Sequence, residues 1–85
     1  MVQAIKFYAN WCGPCKEYTK VWDKVEKELK DNVEFIQVNV DKDDEGLSAK
    51  HSVRSIPHTV VIKEGSTTSK VGLLSEKELK ELINN

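Results

Sequence analysis

The 85-residue chain predicts an α/β fold, a four-stranded mixed β-sheet in the order β-α-β-α-β-β-α with helices on both faces, forming one domain over residues 1–85. Three observations predict it. A strand-forming segment runs into a helical apolar stripe and then a second strand, which implies a parallel crossover. Two strand-forming runs flank a Gly-containing turn, which implies an antiparallel hairpin. The C-terminal segment carries a complete helix-start signature.

The first strand is Val2–Tyr8, short and rich in strand formers at Val2, Ile5, Phe7 and Tyr8. From Cys15 onward the apolar residues Tyr18, Val21, Trp22, Val25 and Leu29 recur at offsets of three and four, the stripe of an amphipathic helix. Its other face is Lys, Glu and Asp, with Asp23/Lys27 and Glu26/Lys30 at pairing distance, and Asp31-Asn32 ends it. Val33–Val40 has apolar residues on both faces, the pattern of a covered internal strand. Acids at Asp41–Glu45 and bases at Lys50 and His51 suit the dipole of a short helix over roughly 43–51. Thr59–Lys63, a turn at Glu64-Gly65-Ser66 and Thr67–Val71 make the hairpin. In the last helix Ser75 and Glu78 form a capping box, Leu74 and Leu79 a hydrophobic staple, and Leu79, Leu82 and Ile83 the buried face.

Composition narrows the function. An apolar fraction of 39% suffices for one small core and is too high for a disordered tail. Thirteen basic against fourteen acidic residues leave a net charge of −1, with no basic excess to suit a nucleic acid or an anionic membrane. No apolar run approaches the ~20 residues of a membrane span. Met1–Lys6 lacks the pattern of a signal peptide, so a cytoplasmic location is expected.

The two cysteines, Cys12 and Cys15, are separated only by Gly13 and Pro14. So short a loop restrains the unfolded chain little, which points to chemistry rather than stabilisation. The pair lies where the first strand ends and the long helix begins. There the helix dipole and unpaired backbone N–H groups favour a thiolate at Cys12. Pro14 is tolerated in the first turn, and Gly13 leaves the sulfur uncovered. A free thiol of pKa about 8.5 is only ~3% ionised at neutral pH. The dipole, at roughly 0.3–2 kcal/mol, lowers that pKa by about one, so N–H bonds must supply the rest. Cys12 is then the nucleophile toward a substrate disulfide. Cys15, one turn deeper, resolves the mixed disulfide in an effectively unimolecular step.

Two other readings of the pair stand beside this one: half of a zinc site, and two merely structural cysteines. Zinc needs four ligands, and the remaining candidates, His51 and His58, have six residues between them rather than three to five. No metal is expected. Trp22 belongs to the core stripe and His51 reads as a helix-end base. Trp11 belongs to no stripe and precedes the nucleophile, which suggests a functional place.

Trp11-Cys12-Gly13-Pro14-Cys15-Lys16 resembles the reducing motif of the thioredoxin family. Phe7-Tyr8-Ala9, Val38-Asn39-Val40-Asp41, Val53-Arg54-Ser55-Ile56-Pro57, Lys63-Glu64-Gly65 and Lys70-Val71-Gly72 also recur in the family's order. The resemblance covers nearly the whole chain. It implies the thioredoxin fold and a monomeric, cofactor-free dithiol reductant of protein disulfides, recycled by a thioredoxin reductase. It further implies that Ile56-Pro57 is cis and faces the cysteines. Ile56 then offers a backbone edge to substrate, and Trp11, Pro57 and Gly72 rim the groove.

Four departures from the family pattern stand out. Its usual N-terminal strand and helix have no counterpart here, leaving one sheet edge less covered. Lys6 occupies the place of a buried aspartate beneath the second cysteine, and Gln37 that of the lysine that commonly partners it. Lys20 replaces a helix-kinking proline, so a straighter first helix is expected. Lys6 is expected either to favour thiolate electrostatically or to carry its charge to solvent on its aliphatic stem. His58, after Pro57, is either a partly exposed hairpin residue or a ring close enough to Cys12 to tune its pKa or touch substrate.

The alternatives are a glutaredoxin-like, glutathione-dependent reductase and a non-catalytic binding module on the same fold. Against the first, Gly13-Pro14 replaces the Pro-aromatic pair usual there, and no glutathione-binding pattern follows Gly72.

Overall fold

The computed structural model describes residues 1–84. Its elements are β1 (Val2–Tyr8), α1 (Gly13–Leu29), β2 (Val33–Asn39), a 3-10 turn at Val40–Lys42, α2 (Leu47–Lys50), β3 (His58–Lys63), β4 (Ser66–Val71) and α3 (Glu76–Asn84). The sheet order is β2-β1-β3-β4, with β1 parallel to β2 and antiparallel to β3, and β3 antiparallel to β4. The class, element order and mixed sheet are as expected from the sequence.

β1 is the organising strand. It is paired on both sides, and residues Ala4 to Phe7 are all buried. Alternation along it separates two cores. Ala4 joins Tyr18, Trp22 and Val25 of α1 and Leu79 and Ile83 of α3 on one face. Ile5 and Phe7 join Val38 and Val60 on the other, with Leu47 of α2, Val53 and Ile56 packed against them. The aromatic contacts of the first core are edge-on: Trp22 meets Tyr18 at 6.0 Å and Phe35 at 5.3 Å between ring centroids.

Three expectations are corrected. β2 is an edge strand, not an internal one. Val33 and Phe35 enter the first core and Ile36 and Val38 the second, because both faces of the sheet are covered out to its margin. Apolar residues on both faces therefore report covered faces, not a central position. Next, the short helix begins at Leu47 rather than near residue 43. The Asp43 carboxylate accepts bonds from the Leu47 and Ser48 amides at 2.9 and 2.7 Å and from the Ser48 hydroxyl at 2.6 Å. Those bonds hold its carboxyl below the usual range and make it a cap instead of a helical residue. Last, the ion pairs of α1 do not follow the i,i+4 spacing read from the sequence. Lys24 meets Glu76 of α3 at 3.3 Å, and Glu28 pairs with Lys80 of α3, because α3 lies alongside and offers partners that the helix itself does not.

α1 ends at Leu29, slightly before Asp31-Asn32, with Lys30 as its C-cap and the Asn32 amide bonded to the Leu29 carbonyl. It is continuous through Lys20, which is exposed and lies 3.6 Å from Glu17. The hairpin turns at Glu64-Gly65, where Gly65 adopts φ +73°, a conformation that favours glycine.

The capping box at α3 is complete. The Ser75 amide donates to Glu78 Oε1 at 3.0 Å and the Glu78 amide to Ser75 Oγ at 3.1 Å, while Leu74 and Leu79 are buried in one cluster. Ser75→Ala is expected to lower stability by about 1 kcal/mol. Leu79→Ala, which empties a fully buried site, is expected to cost about 2–5 kcal/mol. Both are read as shifts of the urea-unfolding midpoint at constant slope.

Candidate active site

The C-terminal ends of the parallel strands β1 and β2 face the start of α1, and the two cysteines lie there. Cys12 and Cys15 form a disulfide with a Cα–Cα separation of 5.2 Å. Cys12 is the N-cap of α1 in extended conformation, and its Sγ accepts the Cys15 amide at 3.1 Å. The N–H bond to sulfur expected from the sequence is thus present. Pro14 lies in the first turn, where a missing donor is harmless.

The pair sits in a small cluster with Ala9, against which Tyr8, Val40 and Ile56 pack. Cys12 is 5% exposed and Cys15 2%, which corrects the expectation of an uncovered first sulfur: Ala9, Val40 and Ile56 enclose the pair, and Cys12 is only slightly the more accessible. Gly13 is exposed, and a Cβ built on it would meet nothing within 4 Å, which leaves that side unobstructed. The Ile56-Pro57 bond is cis, and Ile56 touches the cysteine cluster. Gly72, at φ +101°, donates its amide to the Pro57 carbonyl at 2.8 Å, tying the end of β4 to that loop.

Trp11 is 71% exposed, and its indole Nε1 donates to Asp41 Oδ2 at 2.8 Å. Asp41 is itself held, its amide bonded to Asn39 Oδ1 at 2.9 Å. Val71 and Leu73, on either side of Gly72, are also exposed. The indole is therefore oriented from below while its face stays open. Sequence reasoning missed Asp41 as its anchor, since an acid just past a strand end carries no mark of its partner.

Lys6 corrects one expectation outright. Its side chain is fully buried and does not carry its charge to solvent. The alternation of β1 puts it on the α1 side. There Nζ donates to Thr19 Oγ1 at 2.8 Å and lies 5.3 and 5.7 Å from the ring centres of Tyr8 and Trp22. Thr19 Oγ1 in turn donates to the Cys15 carbonyl at 3.0 Å. Burial pushes the Lys6 ammonium below its usual range, against the pull of Asp23 and Glu26. Thr19 also went unremarked in the sequence, although a threonine four residues after Cys15 is the spacing for a back-bond within a helix. Gln37 stands opposite Lys6 in the β1–β2 register but is exposed at the sheet edge.

His58 is buried rather than partly exposed. It pairs with Phe7 in the register and shares that residue's side of the sheet. Its ring meets Phe7 edge-on at 6.0 Å, with His51 on the same phenyl at 6.0 Å. Among the described residues neither ring nitrogen has a hydrogen-bond partner. Among the described residues no three His, Cys, Asp or Glu side chains gather as metal ligands, and no helix is long and apolar enough to cross a membrane.

Comparison with known proteins agrees with this geometry. The family model described as thioredoxin matches residues 2–85. The thioredoxin of Mycoplasmoides gallisepticum is 39% identical over 80 residues, 93% of this chain and 78% of that protein. The thioredoxin of Bacillus subtilis is 35% identical over 79 residues, 92% of this chain and 75% of that protein. The crystallographic thioredoxin of Fasciola hepatica superposes with a TM-score of 0.84 at 36% identity, over 98% of this chain and 78% of that one.

The buried, unpartnered His58 generates a pH dependence. Burial, and then the neighbouring His51, hold its imidazole below the usual range. The folded form resists a proton that the unfolded chain accepts near pH ~6.5. Stability is therefore expected to be constant above about pH 6.5 on this account, and to fall as pH drops from there through the folded-state pKa. Urea unfolding between about pH 7 and pH 5 should show the decline in the parent chain and a flatter profile in His58→Val.

Proposed function

The chain belongs to the thioredoxin family and is a thiol–disulfide oxidoreductase acting on protein disulfides, and from that premise we propose that Cys12 is its attacking sulfur and Cys15 its resolving one. The observation that carries the assignment is the cap: Cys12 Sγ accepts an amide of the first turn of α1, while Cys15 lies within the helix and is the more enclosed. A thiolate at the N-cap gains from that amide and from the helix dipole, and one inside the helix gains less.

In the reducing direction the Cys12 thiolate attacks one sulfur of a substrate disulfide and expels the other as a thiolate, which takes a proton from water. The mixed disulfide places the substrate beside Ile56. Cys15 then attacks Cys12, forming the intramolecular disulfide and releasing the reduced substrate. A reductase dithiol reverses the change and restores the pair; a thioredoxin reductase is the donor in this reading. Gly13 keeps the approach open, and Pro14 starts the helix without wasting a donor.

Substrate recognition is assigned to Trp11, Ile56, Pro57 and Gly72. Support comes from the open indole held by Asp41, from Ile56 against the cysteines, and from the bond joining Gly72 to Pro57. A backbone edge at Ile56 is suited to an extended substrate segment, with Trp11 covering it. We assign the whole of 1–85 to one thioredoxin domain, working as a cytoplasmic monomer. His58 opens β3 directly after Pro57, with its ring against Phe7, which His51 also meets, and is assigned no direct part in the exchange.

Insulin-disulfide reduction with single cysteine variants tests the assignment. Cys15→Ser is expected to accumulate a mixed disulfide visible by mass spectrometry. Cys12→Ser is expected to be inert and to trap nothing. Reversed behaviour of the two variants would exchange the roles.

A further inference from the structure

Among the described residues Lys6 is the only lysine, arginine, aspartate or glutamate that is buried, and neither the fold nor the exchange reaction described above uses it. Its hydrogen bond has a defined direction. A hydroxyl has one proton, and Thr19 gives its proton to the Cys15 carbonyl, so toward Lys6 it acts as acceptor. The amine is thus linked through one hydroxyl to the backbone of the resolving cysteine, within the reach of two hydrogen bonds.

The groups facing Lys6 are Tyr8 from its own strand, Thr19, Trp22, Asp23 and Glu26 from α1, Gln37 opposite it on β2, and Thr59 opposite it on β3, whose hydroxyl is bonded to that of Tyr18. Asp23 and Glu26 act on it at a distance, and neither forms an ion pair with it. The faces of Tyr8 and Trp22 favour a cation without neutralising it. The ammonium therefore stands two hydrogen bonds from the Cys15 carbonyl, partly offset by Asp23 and Glu26.

We propose that Lys6 and Thr19 are a positioning pair for the resolving step: Thr19 fixes the Lys6 ammonium behind Cys15, and the ammonium favours the Cys15 thiolate. The proposal rests on the reading that Cys15 resolves the mixed disulfide. In that step Cys15 loses its proton to water in the open depression lined by Tyr8, Ala9, Asn10, Cys15, Lys16 and Thr19. Its thiolate attacks the Cys12 sulfur. The Cys12–Cys15 bond forms, the bond from Cys12 to the substrate sulfur breaks, and the substrate leaves as a thiolate that takes up a proton. Two electrons pass from the dithiol to the substrate. Lys6 takes no proton; it lowers the pH at which Cys15 becomes competent.

The test is the pH dependence of substrate release from the mixed disulfide, measured in single turnover for the parent, Lys6→Met, Thr19→Val and Thr19→Ser. Lys6→Met and Thr19→Val are expected to move the profile to higher pH. Release near neutral pH should slow by about three- to tenfold, corresponding to a rise of about half to one in the thiol pKa, and rates should converge in alkali. Thr19→Ser, which keeps the hydroxyl, should restore the parent profile. The double variant should be no slower than the slower single one. An unmoved midpoint in both variants overturns the proposal. So does an equal slowing at every pH, which is the signature of misplacement without an electrostatic effect. If Lys6→Met fails to fold by circular dichroism, Thr19→Val alone decides, since Thr19 is only half-buried. Mixed-disulfide formation by Cys15→Ser with Lys6 intact is the control: its absence refutes the cysteine assignment and not the role of Lys6.

Discussion

The position of the redox pair depends on β1 being held on every side. β2 and β3 pair with its two edges, α1 and α3 cover one face, and α2 with the 53–56 segment covers the other. A strand so enclosed has one register and one depth, so the point where it stops is fixed relative to the sheet. The chain leaves it at Tyr8 and enters α1 at Gly13. The cap at Cys12 is thus delivered by packing many residues away, and the chemistry of the sulfur inherits the rigidity of the strand.

The same enclosure explains the unusual features of the site. Because β1 alternates, Lys6 must face α1 and Phe7 must face α2, whatever their chemistry. A lysine there has no route to water and takes the nearest acceptor, the Thr19 hydroxyl, together with two aromatic faces. On the other side His58 is carried by its register with Phe7 into an apolar setting where both ring nitrogens go unsatisfied. Buried polar groups of this kind are retained at a cost in stability. Both lie on strands that lead directly to the cysteines or to the proline loop.

Much of this was legible in the sequence, for identifiable reasons. Helix α1 announced itself through Tyr18, Trp22 and Val25, and α3 through Ser75 and Glu78, since periodicity and capping are local properties. The cysteine pair was legible because the strand-to-helix junction is also local. What the sequence hid was lateral and long-range. Val33–Val40 reads the same whether it lies at the centre of a sheet or at its margin. Asp43 reads as a helical acid until its carboxylate is found capping Leu47 and Ser48. Asp41, Thr19 and the setting of His58 depend on which residue lies across a strand or one turn away in space, and composition does not encode that.

The strict alternation of β1 has a further consequence, for how this architecture tolerates changes of length. Removing one residue between Gln3 and Phe7 would exchange the two cores, sending the lysine to the histidine side and the phenylalanine under the long helix. It would also draw the cap back by about 3.3 Å, the rise of one strand residue. Insertions are absorbed where the chain is exposed and outside the ladders, as at Glu64-Gly65, whereas the 43–46 segment is held by the Asp43 cap. Indels that preserve the chemistry should therefore concentrate at the hairpin turn, with the strand length upstream of the cysteines held invariant.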